Sequence, residues 1–148
     1  MRAILQRVAS SRVSINGSAI AEIKRGLNIL LGIGREDDES IILKFAEKIV
    51  NLRIFADDEG KMNKSLLDVK GEVLLVSQFT LYGDCKKGRR PSFIKAAEPE
   101  KGEALYQKTI DAIRSYGITV KTGEFGAYMD VDIANDGPTT IILDSDEL

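Results

Sequence analysis

The sequence predicts an α+β fold: a mostly antiparallel or mixed β-roll, barrel-like, with two helices packed outside it. Three observations carry this. Asn16-Gly17 sits between two short β-like runs, and both central residues of a type I′ hairpin turn need φ > 0. Many short apolar stretches are separated by turn-forming residues, the pattern of a sheet that closes on itself. Only two segments have apolar residues at helical spacing.

In chain order, Arg2–Ala9 and Arg12–Ile15 read as two strands, and Ser18–Ile23 as the return arm of the hairpin. Lys24-Arg25-Gly26 breaks the pattern, and Leu27–Ile33 resumes as a buried strand. Asp37 or Asp38 is the expected N-cap of the first helix, because a short carboxylate accepts from orphan N–H groups and suits the positive end of the dipole. Ile41, Phe45, Ile49 and Leu52 form its apolar stripe. The acids Glu36–Glu39 are thus helix-start chemistry, with no metal expected there. Leu52–Phe55 is strand-like, and Ala56–Asn63 is a polar loop turning at Glu59-Gly60.

Val73, Leu74, Leu75 and Val76 read as a strand buried on both faces. The second helix should start near Pro99, since proline suits the first helical position, and stop at Tyr116 before Gly117. Its core-facing residues are Leu105, Ala112, Ile113 and Tyr116. Ile118–Thr122 is strand-like. Met129, Val131 and Ile133 alternate with Asp130 and Asp132 as a half-buried strand. Asn135-Asp136-Gly137-Pro138 interrupts it, and Thr139–Leu143 resumes. At 148 residues, with no linker or repeat, one domain spanning residues 1–148 is expected.

Composition narrows the chemistry. There is no histidine, which removes imidazole bases, Ser-His and Cys-His pairs and the usual zinc sites. The single cysteine, Cys85, permits no internal disulfide. The N-terminal stretch carries arginines and no apolar h-region, so a cytoplasmic location is expected. No cofactor and no membrane partner are expected. The formal net charge is −2, yet Lys86, Lys87, Arg89 and Arg90 cluster within one short loop.

Three polar stretches interrupt the apolar pattern. Ser77-Gln78-Phe79-Thr80 ends the buried strand; it reads either as a site built where a rigid element meets solvent or as a hydrated strand end. The basic loop reads either as a phosphate contact, with Phe93 near enough to stack on a base, or as a solvated loop. Asn135–Thr140 contains a Gly-Pro step, read either as an ordinary turn or as backbone shaped to meet a ligand.

Together these residues closely resemble the D-aminoacyl-tRNA deacylases of the D-Tyr-tRNA deacylase type. The resemblance runs from MRAILQRV at Met1–Val8 through SQFTL at Ser77–Leu81, GRRPSF at Gly88–Phe93 and GEFGAYM at Gly123–Met129 to NDGPTT at Asn135–Thr140. It implies a homodimer that hydrolyses the ester between a D-amino acid and the 3′-terminal adenosine of tRNA, with no DNA partner. It implies catalytic positions at Ser77, Gln78, Phe79 and Thr80. Gly137-Pro138 matches a Gly-cisPro motif that reaches across the dimer and rejects L-aminoacyl-tRNA. Arg7 braces that motif, with Met129 and Asn135 as pocket support, and Lys86, Lys87, Arg89 and Arg90 would bind tRNA. The family commonly has valine where this chain has Thr139. Glycine has no L side chain to clash, so glycyl-tRNA, as when mischarged on tRNA-Ala, is a further expected substrate. The competing expectation is a non-catalytic RNA-binding β-barrel.

Overall fold

The computed structural model describes residues 1–148. Ten regular elements follow in chain order: β1 (Arg2–Ile15), β2 (Ser18–Ile23), β3 (Gly26–Gly32), α1 (Ile42–Asn51), β4 (Phe55–Ala56), β5 (Met62–Lys64), β6 (Glu72–Ser77), α2 (Pro99–Arg114), β7 (Val120–Thr122) and β8 (Asp130–Asp144). The main sheet is mixed, ordered β2-β1-β3-β6-β7, with β8 also paired along β1. Both helices lie outside it, as the sequence predicts.

The hairpin forms as expected, with φ of 50° at Asn16 and 78° at Gly17. The two strands expected before it are one long β1. Its first half pairs with β3, its second half with β2, and its whole length with β8. The polar pair Ser10-Ser11 does not interrupt it, because the buried Ser11 hydroxyl donates to the Asp132 carbonyl at 2.7 Å. Gly26 likewise belongs to a strand, where it opens the parallel β3–β6 ladder opposite Glu72.

β6 is buried on both faces. Val73 and Leu75 join the large core under α1 and α2, whereas Leu74 and Val76 join Val8, Val13 and Ile23 in a second cluster inside the roll. Parallel neighbours on both sides, β3 and β7, explain its continuous apolar run. The Lys24 N–H donates to the Glu72 carboxylate at 2.7 Å and draws the end of β2 toward β6, so the roll is nearly closed.

Two expectations need correction here. Leu52–Phe55 is not a strand; only Phe55–Ala56 pairs, with Met62–Lys64. The polar stretch between them is the tip of that hairpin, because the Asp57 carboxylate accepts from the backbone N–H of Glu59 and Lys61. Tyr116 does not face the core: α2 ends at Arg114, and the tyrosine is exposed past the last turn. Of the two candidate caps, Asp38 takes the role, accepting from Ser40 N–H at 2.8 Å ahead of a 3-10 turn that leads into α1. Asp37 turns inward and accepts from the Met1 ammonium at 2.5 Å.

The side-chain amide of Asn63, with the Lys61 N–H next, holds the Asp57 carboxyl below its ordinary range. A pKa lower in the folded than in the unfolded chain stabilises the fold above the unfolded value, and the contribution fades as pH falls through the folded value. Asp57→Ala should therefore lower the urea midpoint at neutral pH. Denaturation curves recorded at successively lower pH should show the gap to the parent closing in the acid range; a gap independent of pH would refute this role.

Candidate active site

β6 delivers Ser77 to the edge of a cavity of about 680 Å³, mostly apolar in its lining. The chain then leaves the ladder. Gln78 N–H still donates to the Leu31 carbonyl at 2.8 Å, after which Phe79–Tyr82 winds into a 3-10 turn. The first bond of that turn is Leu81 N–H to the Gln78 carbonyl at 3.2 Å. The N–H groups of Phe79 and Thr80 precede it, as the leading donors of any helical turn do.

The turn is anchored at its far end. Tyr82 donates to the Asp37 carboxylate at 3.2 Å, and Arg2 lies over its ring at 4.8 Å. Burial first, and then the nearby Asp37 charge, push the Tyr82 hydroxyl well above the ordinary phenol range, so it stays a donor. Gly34 makes this close approach feasible: a Cβ there would lie 2.6 Å from the Tyr82 oxygen.

Ser77, Gln78, Phe79 and Met129 all line the cavity. Phe93 lines it too, packed edge-on against Phe79 with ring centroids 5.0 Å apart. Thr80 faces Gln78, whose side-chain amide donates to its Oγ1. With no histidine in the chain, nothing of imidazole type can activate that hydroxyl as a nucleophile. The arrangement is suited to stabilising charge on an acyl oxygen through backbone donors at a stiff strand end.

Two charged cavity residues gave no sequence signal. Arg35 and Glu98 are the charged side chains in the lining, and Phe125 and Tyr128 add aromatic surface. Arg35 and Glu98 come from two separate segments that no motif marks, whereas Phe125 and Tyr128 belong to the GEFGAYM stretch, and only the fold assembles the four.

The third polar stretch lies elsewhere on the chain. Between the β1–β8 pairs Gln6↔Thr140 and Val8↔Asn135, four residues of β8, Asp136–Thr139, stand opposite Arg7 alone. They form an exposed excursion, in which the Gly137-Pro138 peptide is cis and only Thr139 is buried. Arg7 braces it, with Nε donating to the Asp136 carbonyl at 3.1 Å and Nη1 to the Ile54 carbonyl at 2.7 Å. The Asn135 side-chain oxygen accepts from Thr139 N–H at 3.0 Å and closes the excursion on itself. Arg7, Asn135, Gly137 and Pro138 do not line the cavity of their own chain, and neither do Lys86, Lys87, Arg89 and Arg90, which are all exposed.

The family model described as D-Tyr-tRNA(Tyr) deacylase matches residues 4–144. The chain is 58% identical over 146 residues to a Thermosipho melanesiensis protein named D-aminoacyl-tRNA deacylase, covering 98% of this chain and 97% of that one. It is 57% identical to a Clostridium kluyveri protein of the same name, with 100% and 99% covered. Among solved structures it is similar to c-Myc DNA Unwinding Element Binding Protein, with a TM-score of 0.91 at 42% identity, 97% of this chain and 98% of that chain being covered. A structure described as a probable eukaryotic D-amino acid tRNA deacylase shares the fold, with a TM-score of 0.82 at 19% identity over 96% of this chain and 97% of that chain.

Proposed function

The chain belongs to the D-Tyr-tRNA(Tyr) deacylase family, and from that membership we propose that it hydrolyses the ester of D-aminoacyl-tRNA, releasing free D-amino acid and tRNA. The observation that carries the reading to particular residues is the cavity at the end of β6, where Ser77, Gln78 and Phe79 meet a mostly apolar, aromatic wall. The terminal adenosine would lie against Phe79 and Phe93. The acyl carbon would sit before the N–H groups of Phe79 and Thr80, which stabilise the tetrahedral oxyanion. With no imidazole in the chain, the substrate's ribose 2′-OH is the group assigned here to assist the attacking water. Arg35 is suited to the phosphate nearest that adenosine.

The active form in this reading is a homodimer. The excursion Asp136–Thr139 does not serve its own cavity, but its tip at Asp136–Pro138 is exposed and the Arg7 and Asn135 side chains brace it, which suits insertion into a second copy's cavity. Backbone of Gly137-Pro138 placed against the α-carbon would leave room for hydrogen or a D side chain and clash with an L one. Glycyl-tRNA, including glycine mischarged on tRNA-Ala, would pass the same test. Translation supplies such substrates, so the proposed location is the cytoplasm. No helix of the chain is long and apolar enough to cross a membrane.

The deciding experiment incubates the protein with D-Tyr-tRNA, L-Tyr-tRNA and glycyl-tRNA and follows release of the amino acid. Release from the D-ester and the glycyl ester, with the L-ester intact, is the expected result. Binding of all three without release would favour a non-catalytic RNA-binding barrel.

The basic loop has a separate test. Replacing Lys86, Lys87, Arg89 and Arg90 together with alanine should weaken tRNA binding at low salt. The slope of log affinity against log salt should become shallower by about 1 for each phosphate that the variant no longer neutralises. Filter binding across a salt series would show this; coincident lines for parent and variant would make the loop merely solvated.

A further inference from the structure

A second cavity, of about 590 Å³, opens at the other end of β6. Ser77 lies at one end of this strand and Glu72 at the other, roughly 17 Å apart at ~3.3 Å per residue. Three cations, Lys24, Arg25 and Lys70, line the second cavity against one carboxylate, Glu72. None of the three cations is in an ion pair, and the Glu72 carboxylate is engaged by the Lys24 backbone N–H at 2.7 Å. The cavity is therefore a concave site with surplus positive charge in a protein whose overall charge is negative.

Two further features mark it. Tyr116, at the helical spacing of a core residue, lies instead past the end of α2 and lines this cavity with its ring accessible. Lys70 has φ of 51°, a left-handed conformation that glycine or asparagine adopts more readily than lysine. The turn that needs it, from Lys70 into Gly71, seats Gly71 against Arg25: a Cβ on Gly71 would lie 3.3 Å from the Arg25 carbonyl. The basic residues thus come from two loops whose backbones pack together at Gly71, and the Arg25 guanidinium lies over the Phe55 ring, 5.7 Å from its centroid.

We propose that this cavity binds a phosphomonoester joined to an aromatic ring, with the phosphate on Lys24, Arg25 and Lys70 and the ring on Tyr116. Lysine and arginine supply the charge and the fork that a phosphate dianion needs, and every nucleobase offers a face to tyrosine. Two sources share this chemistry, a free nucleotide and the 5′-phosphorylated end of an RNA. The site is independent of the deacylase reading, since it uses none of the residues of the first cavity.

The test titrates AMP, inorganic phosphate and a 5′-phosphorylated RNA trinucleotide separately into the uniformly 15N-labelled full chain. Amide shifts are expected at Lys70, Gly71, Gly117 and Thr119, with AMP at least tenfold tighter than phosphate. Tyr116→Ala should remove AMP's advantage and leave phosphate binding in place. Joint replacement of Lys24, Arg25 and Lys70 by alanine should remove both, and the unchanged spectrum elsewhere reports that the variant is folded. Tighter binding of AMP than of the trinucleotide assigns the site to free nucleotides, and the reverse order to RNA ends. Shifts confined to the cavity around Ser77 and Phe79, absence of shifts, or equal affinity in the triple variant would overturn the proposal.

Discussion

Gly137→Ala should cut D-aminoacyl-tRNA hydrolysis by at least about 100-fold, the scale of loss that follows a misplacement near 1 Å at a reacting centre, while leaving the thermal midpoint close to that of the parent. A Cβ on Gly137 would stand 2.6 Å from Thr139 Oγ1, 2.9 Å from Thr139 N and 3.0 Å from Arg7 Nη2, and φ is 132°. Thr139 has little room to yield, because it is buried and its N–H is held by Asn135. The tip of the excursion must move instead. Since Asp136–Thr139 lies off the β1–β8 ladder, that movement costs the sheet little. The residual activity should also be less selective, with L-Tyr-tRNA hydrolysis rising relative to D. Gly17→Ala is the control: φ is 78° there, but no atom lies within 4 Å, so it should cost about 1 kcal/mol and leave selectivity alone. Parent-like rate and selectivity in Gly137→Ala would remove the excursion from the site.

The second large effect is on stability. Gly26→Ala would place a Cβ 1.8 Å from the Glu72 carbonyl oxygen and 2.7 Å from its backbone nitrogen. Backbone atoms cannot rotate aside as a side-chain end can. The clash lies at the first rung of the β3–β6 ladder, so relief means separating strands that pair from Gly26↔Glu72 to Leu31↔Ser77. A loss of about 4 kcal/mol is expected, at the top of the range for single substitutions. For a chain of this size that corresponds to a fall in midpoint of about 10–15 °C by calorimetry. Gly71→Ala should be milder, because its nearest neighbour is a terminal methyl of Leu66 at 2.8 Å. Similar midpoints for the two variants would refute the argument.

The limits of reading this chain from its residues show in the same elements. β6 was legible because four consecutive branched apolar residues leave few other places for a strand. Its parallel partners were not, since pairing is decided by segments far apart in sequence. Gly26 resembled a breaker because a glycine needed for close backbone approach looks, locally, like a glycine that ends a strand. β1 resembled two strands because the partner that satisfies Ser11, the Asp132 carbonyl, is remote. At the candidate site, Ser77–Thr80 stood out through the abrupt change from apolar to polar at a strand end. Arg35 and Glu98 did not, because each is unremarkable in its own segment and only the fold brings them to one cavity. Tyr116 fits the helical period, but α2 stops at Arg114, before that turn.

The four-residue excursion on β8 also bears on how such a protein could diversify. A segment that hangs outside the ladder, tied in by Arg7 and Asn135, can change length or composition without re-registering the strands around it. The scaffold and the element proposed to judge stereochemistry are thus separately mutable. Selection, or a laboratory library restricted to residues 136–139, could explore new acyl preferences from an intact barrel.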